Sequence, residues 1–124
     1  MSEISTHAVA ELHSFNTLPM EQMSATIARQ FVFGEGAMLA RIVLEQGAVV
    51  PEHSHHNEQI SYIVEGALRF RVGGEEKVVR AGEVLIIPPH VPHSAEALER
   101  TVDLDIFTPP RQDWITGDDA YLRR

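Results

Sequence analysis

The chain contains no cysteine, which excludes disulfides and thiolate-held zinc or iron–sulfur centres and leaves histidine as the only strong soft-metal ligand. Positive charge is scarce as well: ten lysines and arginines stand against eighteen aspartates and glutamates, a formal net charge of −8. Such a surface repels a nucleic-acid backbone or an anionic membrane, so neither is an expected partner, and an anionic small molecule would need a local basic site. No apolar run approaches membrane-spanning length. The opening MSEISTHAVAELHS lacks a charged start, an apolar core and a small-residue cleavage pattern, so a cytoplasmic location is expected.

What remains is one domain's worth of chain, 124 residues with 44% apolar content, enough for a single core. Helical periodicity is absent after Gly34. From Arg29 onward short segments rich in Val, Ile, Leu, Phe and Tyr follow one another: RQFVF, MLARIVLE, ISYIVEG, ALRFRV, EKVVRA, EVLIIPP and VDLDIF. Glycine and proline separate them, and Gly73-Gly74 reads as a two-residue hairpin turn because both glycines accept positive φ. Many short strands in one small domain predict an all-β sandwich or barrel. The expected layout is an N-terminal arm or edge strand over 1–28, a barrel over 29–114 and a C-terminal tail over 115–124. A short helical turn is expected at Met20-Glu21-Gln22-Met23, and the tail RQDWITGDDAYLRR is expected to pack as coil or a short turn.

Two segments carry chemistry. In the first, His53, His55 and Gln59 share strand parity and can project together, with Ile60, Tyr62 and Val64 facing away. The second, Gly82-EVLII-Pro88-Pro-His90-Val-Pro-His93, is a strand that ends in a proline-fixed turn aiming His93 at a defined point. Three imidazoles and an amide make a sensible shell for one divalent ion such as Ni, Fe, Zn or Mn, with positions left open for water or substrate. In a terminal segment, Asp105 and Phe107 alternate against Leu104 and Ile106, and Arg111 follows a double proline. A guanidinium presented there is suited to grip a carboxylate bidentately.

The spacing resembles the cupin superfamily, whose first motif, G-x5-H-x-H-x(3,4)-E-x6-G, is matched by Gly47, His53, His55, Gln59 and Gly66. The second, G-x5-P-x-G-x2-H-x3-N, is matched by Gly82, Pro88, His90, His93 and Ala97. Gln59 replaces the usual Glu, His90 a Gly and Ala97 an Asn. His90 suits a left-handed turn, which His adopts more readily than most non-glycine residues. The resemblance implies a single-domain jelly-roll barrel, the double-stranded β-helix.

The chain is similar further to the KdgF-type pectin-degradation cupins, over HSH-xx-EQI and Asp105-Ile-Phe107-Thr-Pro-Pro-Arg111-Gln-Asp113. That resemblance implies that Gln59 is a metal ligand, that Asp105, Phe107 and Arg111 line a substrate site, and that the activity is ring opening of a 4,5-unsaturated uronate. Asp105 would then shuttle protons, with Arg111 beside it as the second catalytic residue and Gln59, Phe107 and Arg111 contacting substrate.

Blander readings stand beside these. Gln59 could be an ordinary buried amide with Glu58 acting instead, Asp105 a strand-surface carboxylate, Arg111 half of a structural ion pair and Phe107 plain core. His56 reads as solvent-facing, His90 as a turn residue, His7 and His13 as surface. Arg69, Arg71 and Lys77 read as a solvated strand face, Tyr62 and Phe70 as barrel filling. A metal-dependent dioxygenase and a non-catalytic small-molecule sensor are the alternative functions. A homodimer pairing N-terminal strands would cover an exposed sheet edge.

Overall fold

Alternation of apolar and polar side chains builds ten antiparallel strands in the computed structural model, which describes residues 9–123. They run β1 (Glu21–Gln22), β2 (Ile27–Phe33), β3 (Met38–Leu44), β4 (Val49–His53), β5 (Glu58–Glu65), β6 (Ala67–Val72), β7 (Glu75–Arg80), β8 (Val84–Ile87), β9 (His93–Ala97) and β10 (Thr101–Thr108). Six form a sheet in the order β1-β2-β3-β10-β5-β8 and four a second sheet in the order β4-β9-β6-β7. The two layers enclose one core that includes Leu44, Ile63, Leu68, Phe70, Ile87 and Phe107. This is the expected all-β jelly roll.

The connections matter most for function. Both β4–β5 and β8–β9 cross from one sheet to the other, and these are the two histidine-bearing segments. Two tight turns are set by backbone chemistry. Gly73 and Gly74 have φ of 56° and 86°, which closes the β6–β7 hairpin with Val72 opposite Glu75. At Gly66, φ is 92°, and an added Cβ would collide with the Arg100 carbonyl and Thr101, so no other residue fits that crossing.

Three local expectations are corrected. Met20–Met23 holds strand β1 rather than a helical turn, because Glu21 and Gln22 pair with Arg29 and Ala28 on β2. Tyr62 is exposed rather than barrel filling; it shares outward parity with Ile60 and Val64, while Ser61 and Ile63 are fully buried. The tail is not coil: Gln112–Thr116 form a short helix, α1, ended by Gly117 in the left-handed region, and Ala120–Leu122 form a 3-10 turn. Trp114 and Leu122 from this segment are buried in the core.

Phe70 is buried, whereas Arg69, Arg71 and Lys77 lie on an exposed face, where Arg69 and Arg71 pair loosely with Glu76. His13 is exposed, and His7 lies outside the described residues. The outer face of the six-stranded sheet is largely apolar. Leu39, Ile106, Ile60 and Ile86 are cross-strand neighbours in one row, with Leu104, Tyr62 and Val84 in the next. Among the described residues no helix is long and apolar enough to cross a membrane.

Candidate metal centre

His53 closes β4 and His93 opens β9, and the two are directly opposed in the β4–β9 pair. His55 sits in the loop after β4, and Gln59 lies on β5 in the other sheet. The ligands therefore come from both sheets, not from one extended segment. The loop is fixed by Asn57, 1% exposed, whose amide donates to the carbonyls of Pro109 at 2.6 Å and Pro110 at 3.2 Å. His90, with φ of 69°, donates its backbone N–H to the His55 carbonyl at 2.8 Å. One asparagine and one left-handed turn thus hold three distant stretches together. His56 and His90 are exposed and take no part.

The ligating nitrogens of His53, His55 and His93 lie within 4.8 Å of one another. Each Nδ1 contacts a nearby backbone carbonyl: Pro51 for His53 at 2.8 Å, Asn57 for His55 at 3.0 Å and Val91 for His93 at 2.8 Å. Those contacts place the ring proton on Nδ1 and leave the Nε2 lone pairs facing inward, the tautomer a metal requires. His93 Nε2 is buried with no hydrogen-bond partner. Burial, chiefly, pushes the His53 and His55 imidazoles down to about 4 from an ordinary 6.5, and lowers His93 as well. Neutral rings at physiological pH are what coordination needs.

Gln59 adds a fourth donor, an amide oxygen, to the three imidazole nitrogens. Its amide N–H donates to Ser61 Oγ at 3.0 Å, and Ser61 donates to Asp105 Oδ1 at 2.6 Å. That chain turns Gln59 Oε1 toward His55 Nε2, 3.1 Å away. With the His55 proton on Nδ1, two acceptors face each other, an arrangement a shared cation makes favourable. The donor set therefore fits a divalent ion held by three imidazoles and one amide oxygen.

Behind the histidines a cavity encloses about 570 Å³ of space, its open mouth included. Phe107, 1% exposed, forms one wall, edge-on to His55 at 5.8 Å and to Trp114 at 5.1 Å. Arg111 lines the same space, its guanidinium 5.0 Å from the Phe107 ring centroid and 4.9 Å from that of Trp114. Its bidentate edge is already engaged, with Nε at 2.9 Å and Nη2 at 2.7 Å from the Asp113 carboxylate. The expected two-pronged grip on a ligand is therefore taken by Asp113, and the ion pair weighed as the alternative for Arg111 is present.

Asp105 is buried, not a surface carboxylate, and has a neighbour the sequence reading missed. Asp103 is 3% exposed and hydrogen-bonds Asp105. Burial raises both carboxyls, Asp103 well above its ordinary range with the Asp105 charge adding to the rise. Burial thus favours one proton shared within the carboxyl pair. Parity could have found these groups: Asp103, Asp105 and Phe107 alternate on β10, and Ser61 is the cross-strand partner of Asp105.

Between the ordinary Asp value of 3.8 and the folded one, the fold keeps a proton that the unfolded chain has released. Stability then falls as pH rises, by about 1.4 kcal/mol per pH unit across that window. Asp103→Asn removes the penalty and keeps an N–H donor for Asp105. Its melting temperature should exceed that of the parent at pH 7 and lose the advantage below about pH 4; no gain at pH 7 would refute the protonated pair.

Fold and site together define a small all-β barrel with a three-histidine metal centre at the mouth of its cavity. The family model described as "Cupin domain" matches residues 40–107, and the chain belongs to that family. Among solved structures, an RmlC-like cupin from Shewanella frigidimarina is 31% identical, with a TM-score of 0.80 over 86% of this chain and 96% of that one. KdgF from Halomonas sp. is 27% identical, with a TM-score of 0.81 over 86% of this chain and 99% of the other. Bacillus subtilis oxalate decarboxylase, a protein with Mn(II) centres, is 21% identical and shares the fold at a TM-score of 0.71, over 82% of this chain and 30% of that one. A search of curated protein sequences finds no match.

Proposed function

We propose that this cupin opens or isomerises the ring of a small sugar acid, a 4,5-unsaturated uronate or a close relative. The observation that carries the reading is the buried line from His55 through Gln59 and Ser61 to the Asp105–Asp103 pair, which joins the metal centre to a stored proton inside one cavity. The likeness to KdgF and the shared motif residues support it.

A divalent ion held by His53, His55, His93 and Gln59 would supply Lewis-acid polarisation of a substrate oxygen. The chain's own groups do the rest. The proton held by the carboxyl pair is available at Asp105 for a carbon or oxygen of the opening ring. Phe107 offers a flat apolar wall for a sugar face, and Arg111 supplies positive charge beside it for the substrate carboxylate.

Metal-loaded protein mixed with 4,5-unsaturated galacturonate should abolish the alkene's ultraviolet absorbance. Asp105→Asn should keep its metal and lose at least a hundredfold in rate, within the range that general acid–base groups contribute. Persistence of the absorbance with metal bound would sink the reading and direct the search to oxygen consumption, the dioxygenase alternative.

The assembly we infer is a homodimer seated on the apolar rows of the six-stranded sheet rather than on N-terminal strand edges, since β1 is only two residues long. A second copy matches the face because each copy offers the same largely apolar rows, with Arg41 at the end of one, whereas the rest of a surface of net charge −8 repels itself. Light scattering should give a dimer for the parent and a monomer for the Ile60→Glu, Ile106→Glu double variant; a monomeric parent would overturn it.

A further inference from the structure

The C-terminal segment reaches back over the metal centre, and its Tyr121 occupies a position that the proposed reaction leaves without a role. The Tyr121 ring stacks on His53, with centroids 4.6 Å apart and planes inclined by 28°. Its hydroxyl oxygen lies 2.7 Å from Arg111 Nη2 and 3.1 Å from Trp114 Nε1. Neither guanidinium nor indole N–H can accept a hydrogen bond, so the phenol oxygen accepts both. Those two bonds fill its acceptor capacity, and its own proton can only be donated. Among the described residues no acceptor receives it.

The residue also lines the cavity. A second buried donor there is unfilled: Arg29 Nη1 has no hydrogen-bond partner, and Arg29, 1% exposed, is part of the same lining. A phenol proton polarised by a guanidinium and a partnerless guanidinium nitrogen are complementary to one kind of guest, an oxyanion.

We propose that Tyr121 is a specificity-determining residue of this pocket, donating its hydroxyl proton to an oxygen of a bound carboxylate while its ring covers His53. The C-terminal segment is then part of the binding site rather than a trailing end. Arg111 acts on the ligand partly through this phenol, which accounts for a guanidinium whose bidentate edge is spent on Asp113. The segment is tethered for this task by the buried contact of Asp119 with Arg29. The proposal deepens the sugar-acid reading but concerns recognition alone, so its test needs no turnover.

Trp114 is the only tryptophan in the chain, and its indole N–H bonds the Tyr121 oxygen, so its fluorescence reports on occupancy. Metal-loaded parent and Tyr121→Phe are titrated with galacturonate, oxalate and acetate, with metal content and melting temperature measured alongside. Tyr121→Phe keeps the ring and should retain metal and fold. Its dissociation constant for the carboxylate that binds the parent should rise about tenfold, the worth of one charge-assisted hydrogen bond. Equal dissociation constants would reduce Tyr121 to a structural wall and overturn the proposal, as would a parent whose emission responds to none of the three acids. Binding of galacturonate with the expected loss in Tyr121→Phe, but no decay of the unsaturated uronate, would overturn the ring-opening reaction and leave this assignment standing.

Discussion

His93→Ala should lower divalent-metal affinity by well over a hundredfold, more than the roughly ten- to hundredfold that follows loss of an outer-shell partner. The residue is 3% exposed, its Nδ1 is held by the Val91 carbonyl at 2.8 Å, and its Nε2 has no protein partner. Removing it deletes an oriented lone pair and leaves His53, His55 and Gln59, a shell short of its most buried imidazole. Isothermal titration with nickel, zinc, iron or manganese measures the change; retained affinity would disprove the three-histidine centre.

The same substitution has a signature in metal-free protein. His53, His55 and His93 are all depressed in the fold, so below their ordinary 6.5 the unfolded chain takes up protons that the fold refuses. The stability these three rings contribute is therefore full above about pH 6.5 and is lost as pH falls toward about 4, the folded value of His53 and His55, opposite in sign to the contribution of the Asp103–Asp105 pair. His93→Ala should show a shallower acid decline than the parent, because one proton-linked group is gone.

Arg29→Ala should destabilise the fold by about 3 to 5 kcal/mol, the usual cost of stranding one member of a buried ion pair. Asp119 is 0% exposed, and without Arg29 its carboxylate keeps only Arg123, at 3.0 Å on the protein's exterior. The guanidinium also bonds Glu21 at 3.1 Å and lies 4.4 Å from the Trp114 ring centroid, so β1, β2 and the tail loosen together. The melting temperature should fall by on the order of 10 °C. An Arg29→Met, Asp119→Leu double variant, which leaves no charge stranded, should recover most of the loss; equal instability of single and double variants would show that packing, not charge, holds the tail.

Short apolar segments between glycines and prolines were enough to specify an all-β barrel, because period-2 patterning and turn chemistry are local properties of the chain. The two strands that carry the outer ligands were not legible in this way. Val49–His53 is interrupted by Pro51, and His93–Ala97 reads HSAEA, with little intrinsic strand preference; these become strands by tertiary pairing, β4 with β9 and β9 also with β6. The tail was misread for a related reason, since Trp114, Tyr121 and Leu122 look isolated until the cavity they close exists.

The sequence by itself determined the fold class, the identity of three inward histidines at fixed spacing and the alternation that turns Asp105 and Phe107 to the inside. Only the tertiary structure decided that the ligands would come from two sheets, that Asp103 would share a proton with Asp105, that Arg111 would be spent on Asp113 and that Tyr121 would cover His53. Spacing along a strand is set by the backbone repeat, whereas burial, and the proton and hydrogen-bond assignments that follow from it, depends on which distant segments pack across a common core.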